Sequence, residues 1–185
     1  MTRYRPLRCD LAAAALLAGL SGCGSTPPDA RPPVQAVAQI ELQRYLGRWF
    51  EIANFPMFFQ RKCIGDTTAD YALRDDGRIT VLNRCRTDSG FIQAEGKAKV
   101  VEGSANARLR VSFFWPFHGD YWIIGLDPGY RWAVVGDPGR RYLWVLSRTP
   151  ALEKGDLDAA LAAARAQGYD LVPIRFTTHA PVTAP

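Results

Sequence analysis

The sequence is poor in the residues that build metal and redox centres. Among 185 residues there are two histidines, His118 and His179, and four scattered cysteines. Neither histidine has a Cys or His neighbour at ligand spacing, so a dedicated zinc or haem site has too few partners and no cofactor is expected. No serine sits in a nucleophile-elbow motif, and Asp137-Pro138-Gly139-Arg140 lacks the pattern of a phosphate-cradling loop. The apolar run Leu11–Leu20 has ten residues, too short to span a bilayer. What the chain does hold is 48% apolar and 22% charged residues, the balance of a globular protein. Sixteen glycines, thirteen prolines, five Trp, seven Tyr and nine Phe suit many short strands joined by tight turns.

The first 22 residues read as a targeting leader, with Arg3, Arg5 and Arg8 before the apolar run. Leu20-Ser21-Gly22-Cys23 resembles the lipobox of bacterial lipoproteins. That resemblance implies cleavage before Cys23, which then carries the lipid as the first residue of the mature chain. Gly24 follows, not the Asp that marks inner-membrane retention in that group, so the expected location is the periplasmic face of the outer membrane. Pro27, Pro28, Pro32 and Pro33 among small polar residues make 23–39 the lipidated cysteine and an extended tether. The leader's three arginines and one aspartate hold +2 of the formal +5, leaving only a mild positive excess on the mature chain. Arg131-Trp132 and Arg140-Arg141-Tyr142 mix basic and aromatic residues. On hairpins of an envelope protein they read as a solvated rim, and no nucleic-acid partner is expected.

From Ile40 to Thr177 the dominant period is two. In Phe91–Val101, Ile92, Ala94, Gly96, Ala98 and Val100 alternate with Gln93, Glu95, Lys97 and Lys99, giving one apolar and one solvated face. Arg108–Phe114 repeats the pattern, with Leu109, Val111 and Phe113 opposite Arg108, Arg110 and Ser112. Further strands are expected over Gly47–Asn54, Thr67–Leu73, Arg78–Asn83, Tyr121–Leu126, Arg131–Gly136 and Tyr142–Ser147. Turn signals such as Asp75-Asp76-Gly77, Asp127-Pro128-Gly129 and Asp137-Pro138-Gly139 fall between them. Eight strands in a meander with one apolar face can close into an antiparallel up-and-down barrel, which removes exposed edges. Asp156–Gln167 places Leu157, Leu161 and Ala164 on one helix face, with Gly168 set as its cap. Leu171–Thr177 then reads as a short ninth strand. The barrel domain is expected over 40–178, and 179–185 as a disordered tail.

Three segments carry a resemblance that covers roughly Val37 to Thr177. Tyr45-Leu46-Gly47-Arg48-Trp49 looks like the first lipocalin signature, Asp120-Tyr121 with Leu126-Asp127-Pro128-Gly129-Tyr130 the second, and Tyr142–Pro150 the third. Together they are similar to the bacterial lipocalins, a lipoprotein group akin to apolipoprotein D. The resemblance implies a cup-shaped barrel that binds fatty acids, lysophospholipids or other small apolar ligands without transforming them. It gives Gly47, Trp49 and Arg148 a structural role at the closed end, Arg148 stacking on Trp49. It places Cys63 where apolipoprotein D has a cysteine bridged to its C-terminal region. No cysteine follows Cys85 here, which leaves Cys85 as the available partner. The two flank one hairpin, and pairing about its turn misses direct opposition, so a bulge or loop conformation is needed.

Alternation about that barrel makes Tyr71, Ile92, Ala94, Val111 and Phe113 candidate lining residues for the ligand. Two aromatic loops, Phe55–Phe59 and Phe113–Phe117, belong at the open end in this topology, and Phe58 and Phe59 join the candidate binding set. Two rival readings remain open. One is a thiol-dependent isomerase using Cys63, as some lipocalins are. The other is a structural or partner-binding lipoprotein with a closed barrel. A homodimer is a further possible partner arrangement.

Overall fold

The computed structural model describes residues 31–181. The targeting leader and Cys23 lie outside the described residues. Nine strands run in chain order: β1 Gly47–Asn54, β2 Gly65–Leu73, β3 Ile79–Thr87, β4 Gly90–Val100, β5 Arg108–Ser112, β6 Gly119–Leu126, β7 Trp132–Gly136, β8 Leu143–Ser147 and β9 Arg175–Phe176. A one-turn helix α1, Leu42–Tyr45, precedes β1, and helix α2, Lys154–Ala166, follows β8. Each strand pairs antiparallel with the next, and β1 pairs with both β8 and β2, closing an eight-stranded barrel.

Because neighbouring strands alternate in direction, every second connection shares an end. The turns after β2, β4 and β6 lie at the end where β1 begins. The loops after β1, β3, β5 and β7 lie at the other. One apolar cluster lies inside the barrel, including Trp49, Tyr71, Val81, Ala98, Leu109, Ile123 and Leu146. A second lies between the outer wall and α2, around Val134, Val145, Ala160 and Ala164. That contact needs a glycine in β6: a Cβ on Gly125 would sit 2.9 Å from the Ala163 Cβ.

Several expectations shift. The third strand extends to Thr87 because its partner β4 keeps register as far as Gly90. The helix begins at Lys154 and buries Ala160 and Ala164, with Leu157 and Leu161 only half-buried, so its inner face is the small one. Gly168 ends it at φ +77°. The ninth strand shrinks to two residues, since Leu171–Ile174 closes a turn through the Ile174 amide and the Leu171 carbonyl.

The two flanks are corrected more substantially. Residues 31–39 are no free tether but a strap along the barrel. Val34 is buried, the Gln35 amide donates to the Gln167 side chain, and the Val37 amide donates to the Ile123 carbonyl. Residues 179 and 180 are packed, not a loose tail. The His179 ring, 6% exposed, bonds to the Glu51 carbonyl at 2.7 Å, and the Ala180 amide donates to Asp66 at 2.6 Å. That amide, with the Arg86 guanidinium, holds the Asp66 carboxyl below the usual carboxylate range. The segment from Arg175 to Thr178 fills a gap that β1 and β2 leave. Their pairing stops at Phe50 and Thr68, and beyond it Ala53 and Asn54 pair with β9, while Asp66 donates to the Thr178 carbonyl.

Candidate functional site

The closed end is a floor of aromatic rings. Trp49 is fully buried, and its indole N–H donates to the Tyr45 carbonyl at 2.8 Å. Arg148 lies 3.8 Å over the Trp49 ring and donates to the Arg48 and Arg44 carbonyls at 2.7 and 2.5 Å, tying β8 to β1 and α1. Gly47, at φ +87°, opens β1 beneath that guanidinium. Above Trp49, the Tyr45 and Tyr71 hydroxyls each lie 2.8 Å from the Tyr121 hydroxyl, a chain of three phenols. Burial pushes Tyr71 up to about 12 and holds Tyr45 and Tyr121 well above the phenol range, so the chain stays neutral. Alternation along β2 points Tyr71 at the cavity, as expected from the sequence. It gave no sign that Tyr45 and Tyr121, both inside recognised motifs, meet it there.

The lining candidates sort by height. Ala98 pairs with Val111 and Ile79, Gly96 with Val81, Ala94 with Asn83, and Ile92 with Cys85. These partners share one face, so all of them point inward. Tyr71 is buried in the floor, and Val111 and Phe113 are half-buried against it. Phe113 rests on Gly96, where a Cβ would stand 2.9 Å from its ring. The space a side chain at position 96 would take is filled by this ring. Ala94 and Ile92 lie nearer the mouth and are accessible, Ile92 at 44%. The cup is filled low and open high.

At the open end a cleft of about 420 Å³ lies between β1, the loop after it, the start of β2 and the C-terminal segment. Its size is that of a small-molecule site. Glu51 lines it, 4% exposed, and its carboxylate accepts from Asn54 at 2.7 Å, Gln60 at 2.8 Å and Thr177 at 2.6 Å. Gln60 in turn accepts from the Trp144 indole at 3.2 Å. The donors to Glu51 are Asn54 at the end of β1, Gln60 in the loop after it, and Thr177, 126 residues away.

Cys63 and Cys85 form a disulfide with Cα atoms 5.6 Å apart. The register shift between Gly65 and Thr68 on β2 supplies the irregularity the pairing required. Around the rim Phe58 is 77% exposed and stacks edge-on against Phe59 at 5.3 Å. Across the mouth, on the loop joining β5 to β6, Phe114, Trp115 and Phe117 are exposed, Trp115 at 87%. Among the described residues no cluster of three His, Cys, Asp or Glu side chains could hold a metal, and no helix is long and apolar enough to cross a membrane.

A closed up-and-down barrel, floored by a Trp–Arg pair and flanked by one helix, defines the lipocalin class, and this chain belongs to the lipocalin-like domain family, whose pattern matches residues 40–179. It is 44% identical over 171 residues to the outer membrane lipoprotein Blc of Escherichia coli K12, spanning 91% of this chain and 93% of that protein. It is 42% identical over 154 residues to the outer membrane lipoprotein Blc of Vibrio cholerae, spanning 82% and 87%. Apolipoprotein D of Macaca fascicularis is 38% identical over 136 residues, with 69% of each chain covered. Among solved structures, insecticyanin of the tobacco hornworm superposes with a TM-score of 0.68 at 18% identity, over 84% of this chain and 89% of that one.

Proposed function

We propose that the protein is a lipid-binding lipoprotein of the cell envelope, held at the periplasmic face of the outer membrane by acyl chains on Cys23. It takes single-chain lipids, fatty acids or lysophospholipids, into the upper half of the barrel and returns them unchanged. The observation that carries this reading is the graded interior: a sealed aromatic floor below, half-buried Val111 and Phe113 above it, and accessible Ala94 and Ile92 at the mouth. Apolar wall left accessible inside a preformed cup is what an acyl chain covers, at about 0.8 kcal/mol per methylene. The naming of the bacterial relatives as outer membrane lipoproteins supports the location. A thiol-dependent isomerase would need Cys63 as a thiolate, and its sulfur is bonded to Cys85. A barrel closed throughout would bury Ile92 and Ala94 as it buries Tyr71.

The test is native mass spectrometry of the mature chain, followed by titration with a fluorescent fatty acid, for the parent and for Ala94→Trp. The parent should retain or take up one single-chain lipid. The tryptophan should fill the wall and weaken uptake about tenfold, the equivalent of two lost methylene contacts, without lowering the melting temperature. A parent that carries no lipid and refuses the probe would end the reading.

A further inference from the structure

The strap fixes where the chain leaves the fold. Arg31 donates to the Gly168 carbonyl at 2.8 Å, just past the end of α2, and Arg140 bonds to the Pro32 carbonyl. Arg140 sits in the turn between β7 and β8 and also donates to the Gln167 carbonyl at 2.7 Å. That turn belongs to the open end. From there the strap descends, through Val37 on Ile123 and Ile40 on Ala105, to α1 beneath the floor. The chain therefore enters the domain at the mouth, not at the closed end.

Length decides what this means. Cys23 stands eight residues before Arg31, a reach of at most about 28 Å. The barrel wall, with strands of eight residues in β1 and eleven in β4, is roughly 20–28 Å high once a tilt of about 40° is allowed. A tether starting at the mouth would be nearly consumed in running back along that wall, before the lower turns are cleared. Seating the closed end on the bilayer that holds Cys23 would demand a fully extended tether with no slack. Seating the mouth there would not.

The mouth also has the chemistry of a bilayer interface. Phe58, Phe59, Phe114, Trp115 and Phe117 project from two loops on opposite sides of one opening, all exposed. Trp and Phe held at loop tips suit the boundary between headgroups and acyl chains. Beside them Arg61, Lys62 and Arg175 are exposed, a positive fringe that suits anionic headgroups. A protein partner would be met by a continuous patch. Here the aromatics are split by the opening of the cup, which suits a fluid surface.

We infer that the open end is a membrane-docking face, in which these two aromatic loops sink into the bilayer that anchors Cys23 and set the cup directly over it. A lipid then passes between bilayer and barrel without crossing water. The inference rests on the proposed anchoring for its geometry, and on the aromatic loops for its contact.

The experiment uses the full mature chain in vesicles of phosphatidylethanolamine and phosphatidylglycerol, with bromine on the acyl chains near the headgroups. Intact mass reports whether Cys23 carries acyl chains, flotation reports binding, and tryptophan emission reports depth. The expected result is that bromine quenches part of the emission and that Trp115→Phe loses most of this quenching while still floating. Phe58→Ser with Phe59→Ser should reduce it as well, with an unchanged melting temperature. A lipidated chain that floats with Trp115 unquenched would overturn the inference and leave the anchoring intact. An unlipidated chain whose Trp115 is nonetheless quenched would keep the docking face and remove the anchor. A chain that neither floats nor is quenched would remove both.

Discussion

At the closed end Trp49, Tyr45, Tyr71 and Tyr121 are packed ring to ring, with their hydroxyls and indole N–H bonded. At the open end Phe58, Phe114, Trp115 and Phe117 stand in solvent. Both groups are aromatic, and nothing in residue type alone separates most of them. The difference lies in their neighbours. Trp49, Tyr71 and Tyr121 come from strands whose alternation points them inward, Tyr45 comes from α1, and each polar handle finds a partner there. Mouth residues come from loops with no opposing wall. Aromatic residues thus make a rigid seal where the sheet surrounds them and a contact surface where it ends.

The floor carries the largest expected effect. Trp49→Ala removes the ring on which Tyr45 and Arg148 rest, and should cost about 3–5 kcal/mol, read as a lower urea midpoint. A midpoint equal to the parent's would show that the seal is dispensable. Next comes the staple at the mouth. Cys63→Ser with Cys85→Ser opens a bridge across 22 residues and should cost about 3 kcal/mol. Stability should fall without disturbing the emission of the floor's Trp49. The smallest effect sharpens the comparison by pH. Tyr71 ionises near 10 when unfolded but at about 12 when folded, because burial disfavours the phenolate. Its contribution is complete below pH 10 and is lost as pH rises toward 12, at about 1.4 kcal/mol per pH unit. Tyr71→Phe should flatten the fall of stability over that window. An unchanged slope would mean that the phenol is not sealed.

The barrel was legible because its strands obey period two. Ile92 to Val100 and Leu109 to Phe113 announce an inward face, and the Asp-Pro-Gly turns announce the connections. Trp49 and Arg148 were legible as a pair only through the family motifs, since 99 positions separate them in the sequence. What stayed hidden has no local period. The strap over residues 31–39 looks like a spacer because prolines and small residues dominate it, and its anchors, Ile123 and Gln167, lie far along the chain. The bonds made by residues 179 and 180 were hidden for the same reason, and so was the Thr177 donor to Glu51. Long-range bonds to single backbone or side-chain atoms leave no pattern to read. Among the lining candidates, alternation gave the direction of Phe113 and Gly96 but not that one ring fills the space the other vacates.

The wedge formed by Arg175–Thr178 has a consequence for solubility. Without it, the upper half of β1 and the first residues of β2 would each present a row of unbonded amides and carbonyls, the template on which another copy's strand can pair. Two residues of β9 and the Thr178 carbonyl occupy that row. A chain ending before Arg175 would keep nearly all of its barrel and still gain an open seam, turning a self-contained cup into one that recruits its own kind.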